Sequence, residues 1–78
     1  MKIKVKYFGL VAETVGVEEE TLEISDGLSA SKFKEQQIAK YQIEDPESIQ
    51  MAVNQNLKNY SNLNEGDEVA FLPPFAGG

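Results

Sequence analysis

The chain has 78 residues, with 7 Lys, 13 Asp or Glu, no His and no Cys, and a formal net charge of −6. At this length folding buries roughly 60% of the extended chain's surface, which makes one small domain and excludes two. All the cations are lysines. An acidic chain without clustered Lys and Arg is a poor match for nucleic acid or an anionic membrane, and it leaves a basic protein partner open.

The missing residue types exclude several chemistries. Without Cys there is no disulfide framework, thiolate nucleophile or Cys-ligated zinc. Without His there is no Ser-His-Asp triad, imidazole base or His-ligated metal. Without Arg there is no bidentate clamp for phosphate or carboxylate. The apolar runs are too short to span a membrane, and the first residues do not read as a signal peptide. The expectation is a soluble cytoplasmic domain that binds no metal or cofactor of its own. Its side chains are poorly equipped for catalysis, so whether it counts as an enzyme stays open.

Residues 2–8 begin as an alternating strand. Ile3, Val5 and Tyr7 fall on one face and Lys2, Lys4 and Lys6 on the other. Phe8 falls on the lysine face. It is either tucked in by a bend or left exposed as a partner contact, and periodicity leaves both open. Leu10 to Val15 predicts a short helical turn ended by Gly16. Val17 to Ser25 predicts a second strand with Leu22 and Ile24 inward. The run Glu18, Glu19, Glu20 reads as a solvated turn, since a hard-cation site needs oxygens converging in a shaped loop.

Asp26-Gly27 signals a turn, and Ser29 is placed to cap a helix over Ala30 to Tyr41. Ala30, Phe33, Ile38 and Tyr41 form its apolar stripe. Gln37 sits in mid-stripe, either reaching a backbone partner or lying at the wet margin. Glu44-Asp45-Pro46-Glu47 reads as a polar surface loop, with Pro46 outside any helix. Nothing apolar nearby would raise a carboxyl pKa for acid/base work.

Ile49 to Val53 predicts a third strand and Asn54-Gln55-Asn56 a turn. Leu57 to Tyr60 predicts a short return strand, Leu63 an inward plug and Asn64-Glu65-Gly66-Asp67 a further turn. Glu68 to Leu72 predicts a strand that is apolar on both faces, as suits the middle of a sheet. The order implies an α+β domain over residues 1–72, with one main helix across a mixed sheet of four to five strands. The first and last strands are far enough apart to pair in parallel.

The remaining residues, Pro73 to Gly78, read as an extended tail. Pro73 and Pro74 stop the sheet and favour polyproline II, Phe75 supplies an apolar anchor, and Gly77 and Gly78 carry no side chain. Tails usually fray, but this one is apolar, stiff at its base and slender at its tip. That shape suits insertion into a narrow channel on another protein. The tip then offers one reactive group, the carboxylate of Gly78. ATP-dependent adenylation would make it an acyl electrophile for a sulfur or amine nucleophile.

The whole chain resembles the small, sulfur-carrying subunits of molybdopterin synthase, within the ubiquitin-like β-grasp superfamily. Three stretches carry the resemblance: KVKYFGLVAETVG, MAVNQNL and, most specifically, LNEGDEVAFLPPFAGG. It implies a β-grasp fold. It implies a Gly78 that a ubiquitin-activating-type enzyme adenylates with ATP and that a sulfur-donor system converts to a thiocarboxylate. The tail then enters the large synthase subunit and donates sulfur to cyclic pyranopterin monophosphate, within a heterotetramer. Carried over by position, Gly78 is the acyl carrier and Gly77 its slender neighbour. Pro73, Pro74, Phe75 and Ala76 fill the channel, and Phe8 and Phe71 lie at or near the partner interface. That placement favours an exposed Phe8. Two positions depart from the pattern: Ala12 stands where many relatives have Arg, and Gln37 stands at a usually aliphatic site. The alternatives are a thiamin-pathway sulfur carrier, a ubiquitin-like protein modifier, and an interaction module with an inert tail.

Overall fold

The computed structural model describes residues 1–57 and 62–73. Lysines alternating with Ile3, Val5 and Tyr7 make β1, Lys2–Tyr7, whose apolar side chains are all buried. The chain turns at Phe8 into α1, Gly9–Val15, and leaves it through Gly16 at φ 96°. There the Gly16 N–H donates to the Ala12 carbonyl at 2.8 Å, and glycine adopts this left-handed conformation without a Cβ penalty. The predicted helical turn is thus a seven-residue helix that begins one residue earlier.

β2, Glu19–Glu23, is shorter than the predicted strand because β1 offers it five register partners, from Lys2 opposite Glu23 to Lys6 opposite Glu19. Leu22 and Ile24 still pack against the core. Ser29 caps α2, Ala30–Tyr41, accepting a hydrogen bond from the Lys32 N–H at 3.1 Å. α2 ends at Gln42, φ 52°.

Pro46 corrects an expectation, because it opens a 3₁₀ turn over Pro46–Ser48. A first position suits proline, whose missing N–H has no partner there to lose. β3, Gln50–Val53, and β4, Glu68–Leu72, complete the sheet. Leu57 lies in a bend, and the rest of the predicted return strand, 58–60, lies outside the described residues.

The sheet order is β2-β1-β4-β3. β1 pairs antiparallel with β2 and parallel with β4, and β3 pairs antiparallel with β4. α2 covers one face through Ala30, Phe33 and Gln37. The core beneath it holds Ile3, Val5, Tyr7, Val69 and Phe71, closed by Val11, Ile43, Ile49, Met51, Val53 and Leu63. Leu63 is the expected plug, its N–H donating to the Leu28 carbonyl at 2.9 Å.

One polar chain crosses this core. Gln37 Nε2 donates to Tyr7 Oη at 2.8 Å, and Tyr7 Oη donates to Glu20 Oε2 at 2.6 Å. Tyr41 Oη donates to the same carboxylate oxygen at 2.7 Å. Gln37 therefore reaches a side chain, where a backbone partner or a wet margin was expected, and it is 4% exposed. Glu20 is likewise a strand residue serving two tyrosines, whereas a solvated turn was expected. Burial, followed by the Glu20 hydrogen bond, pushes the Tyr7 hydroxyl well above its usual range. The Glu20 hydrogen bond raises that of Tyr41.

Candidate functional site: the exit of the C-terminal segment

β4 lies between β1 and β3, so the chain leaves the sheet from its middle. It emerges beside the start of α1. There Gly9, at φ 54°, has no side chain, and a Cβ at that position would stand 3.0 Å from the ring of Pro73. Pro73 is the one channel residue expected from the sequence that the structure describes. It is half-buried against this glycine. Pro74, Phe75, Ala76, Gly77 and Gly78 lie outside the described residues.

Phe8 sits at the same exit. Its N–H donates to the Phe71 carbonyl at 3.2 Å, extending the β1–β4 ladder by one bond. Phe8 is 44% exposed and lines a shallow hollow on the open face of the sheet with Ala52, Leu57, Ala70 and Leu72. The tucked alternative is thereby excluded. Phe71 is a correction. Strand alternation turns it to the opposite face, where it is 0% exposed. It stacks on Tyr7 at 5.8 Å between ring centroids and tilts against Phe33 at 6.1 Å. Phe71 is a core residue and presents nothing to a partner. Ala12 packs partly against the core and borders a second shallow hollow with Phe8, Gly9 and Glu13.

Among the described residues no group of His, Cys, Asp or Glu is arranged to hold a metal. None of the helices described is long and apolar enough to cross a membrane. The exit is thus an apolar platform: a proline seated on a glycine, an exposed aromatic beside it, and no catalytic cluster.

The ThiS family matches residues 5–78. The chain belongs to this family. It is 37% identical to the molybdopterin synthase sulfur carrier subunit of Chlamydomonas reinhardtii over 83 residues, covering 100% of both chains. It is 39% identical to the subunit of the same name from Mycobacterium tuberculosis over 82 residues, covering 100% of this chain and 99% of the other. Among solved structures, a Pyrococcus furiosus chain provisionally described as molybdopterin converting factor subunit 1 superposes with a TM-score of 0.81 at 28% identity, covering 96% of this chain and 99% of that one. Small archaeal modifier protein 1 of Methanosarcina acetivorans superposes with a TM-score of 0.72 at 26% identity, covering 99% and 96%. The resemblance read in the three sequence stretches and the β-grasp expectation are both borne out.

Sequence reasoning missed one feature of the exit, a groove between α1 and the segment that follows α2. The signal for it was Leu10, which is apolar but out of phase with Val11 on a short helix.

Proposed function

We propose that this protein is the sulfur-carrier subunit of a cytoplasmic molybdopterin synthase and works through the carboxyl group of Gly78. The observation that carries the reading is the full-length identity to two sulfur carrier subunits. The exit geometry supports it, because the platform at Pro73, Gly9 and Phe8 presents the base of the tail beside an exposed aromatic. The absence of His, Cys and Arg fits a chain that is acted upon.

In the proposed cycle the Gly78 carboxylate attacks the α-phosphorus of ATP on a ubiquitin-activating-type enzyme and displaces pyrophosphate. Hydrosulfide from a sulfur-donor system attacks the acyl adenylate and displaces AMP, leaving a thiocarboxylate. Pro74, Phe75, Ala76 and Gly77 pass through a channel in the large subunit, and Phe8 contacts that subunit beside it. The thiocarboxylate sulfur then attacks a carbon of cyclic pyranopterin monophosphate and displaces an oxygen substituent. Water cleaves the resulting acyl–sulfur bond, leaving the sulfur on the product and returning the Gly78 carboxylate. A dithiolene has two sulfurs, so each product consumes two carriers, consistent with a heterotetramer. The substrate chemistry is assigned to the large subunit, in keeping with a carrier that has no His, Cys or Arg.

A second reading, protein modification, draws on the likeness to the Methanosarcina modifier. It uses the same adenylate with a lysine amine as acceptor. The intact mass of the N-terminally tagged chain from its own cells separates the two and checks that Gly78 is the carboxyl terminus. Replacement of one oxygen by sulfur is the expected result. Isopeptide-linked ladders without a thiocarboxylate would replace sulfur transfer with modification. Deleting Gly78, or adding one residue after it, is expected to abolish sulfur transfer. Full activity from an extended and unprocessed chain would overturn the mechanism.

A further inference from the structure

The groove beside α1 has no part in the cycle just described. Its floor is apolar and carries Ile43 and Ile49, both nearly buried, and Pro73 stands at its wall. Leu10 stands on the α1 side and is 70% exposed. α1 turns Val11 into the core, so the preceding residue is left on the outer side of the helix. Glu13, Glu44 and Asp45 rim the groove, and no residue lining it is basic. The ion pairs among the described residues join Met1 to Asp26, Lys4 to Glu19 and Lys6 to Glu68, and they leave these three carboxylates out.

An apolar floor, an exposed leucine and three carboxylates of one sign define the complement. It is a polypeptide segment carrying an apolar side chain flanked by Lys or Arg. We propose that this groove docks such a segment of the adenylating enzyme while that enzyme holds the tail. The assignment rests on the carrier reading above.

The choice of partner follows from the two surfaces that meet at the exit. The hollow at Phe8 on the open sheet face also presents Leu57 and Leu72, and the one charged pair lining it, Lys6 with Glu68, is already joined at 3.4 Å. A surface of that kind suits a lasting subunit interface, which is drier and more apolar. The groove is rimmed by uncompensated charge. Charge complementarity speeds encounter more than it prolongs residence. That suits a partner that must release the carrier once the adenylate has been converted. Pro73 borders the groove, so one enzyme can engage groove and tail together.

The test is ATP–pyrophosphate exchange by the purified adenylating enzyme, with the full-length carrier varied in concentration. Two variants are compared with wild type: Leu10→Ala, and the triple neutralisation Glu13→Gln, Glu44→Gln, Asp45→Asn. All four side chains are exposed, and circular dichroism checks the fold. Each variant is expected to raise KM for the carrier about tenfold with kcat within about twofold. Wild-type KM is expected to rise with ionic strength and the triple variant's KM to stay flat, because screening acts on the charges removed. Affinity for the large subunit should not change. An unchanged KM in folded variants, or an equal loss of affinity for the large subunit, would overturn the assignment. Absence of exchange with wild-type carrier would overturn the carrier reading and this assignment together, so the two failures are distinguishable.

Discussion

Tyr7 shows how much one hydroxyl can hold together. It lies on the central strand pair, stacks on Phe71, accepts from Gln37 and donates to Glu20, and so ties β1, β2, β4 and α2 at one point. Burial and Glu20 both favour its neutral form, raising its pKa above the ordinary 10.0. The sign follows directly. The unfolded chain loses its tyrosine proton near pH 10 while the native chain keeps it, so this contribution is intact below pH 10 and is lost as pH rises further. Wild-type stability in urea is expected to fall more steeply above pH 10 than that of Tyr7→Phe. At neutral pH the same substitution should cost about 1–3 kcal/mol, because it strands the buried Gln37 amide. Parallel alkaline profiles for the two proteins would remove Tyr7 as the source. Reading Gln37 from the sequence failed here for a physical reason. A mid-stripe glutamine announces that it needs a partner, but the partner comes from a strand 30 residues earlier, which helix periodicity cannot reveal.

At the scale of elements, local signals were legible wherever one residue carried the geometry. Ser29 caps α2 as its side-chain chemistry implies, and Gly16 ends α1 as its freedom at positive φ implies. Gly16 has open space around it, so its cost of substitution is purely conformational. Gly16→Ala is expected to destabilise by about 1–2 kcal/mol, from the left-handed backbone alone. Gly16→Asn should recover most of that, because asparagine tolerates the region. Chemical denaturation of both variants checks this, and equal losses would mean that the side chain rather than φ sets the cost. Extents were less legible than types. β2 was overextended because a strand ends where its partner ends, and its partners on β1 lie from Lys6 opposite Glu19 to Lys2 opposite Glu23, beyond the reach of a local pattern. Phe71 was expected at or near the partner interface and is instead buried, for a related reason. Both faces of β4 are apolar, and only the pairing of Val5 with Val69 and Tyr7 with Phe71 decides which face α2 covers.

At the scale of the molecule, topology separates what holds the fold from what carries the chemistry. β4 has neighbours on both sides, and its Val69 and Phe71 are both at 0% exposure, so the last strand is indispensable to the core. The residues proposed to bear the chemistry follow it, and they are proposed from the sequence because a slender apolar stretch is a local pattern. The groove beside α1 was not, since it is assembled from α1, the segment after α2 and Pro73. This separation predicts an uncoupling. Removing Gly77 and Gly78 should leave the melting temperature within about 2 °C, since a 1 kcal/mol change shifts a domain of this size by roughly 4–8 °C and, among the described residues, the buried core runs from Ile3 to Phe71. Sulfur transfer should be lost entirely. Scanning calorimetry beside a transfer assay reads both quantities. A truncated chain that melts much earlier would mean that the glycines contribute to the fold. Loss of transfer would then no longer identify Gly78 as the acyl carrier, so the thermal result decides how the functional one is interpreted.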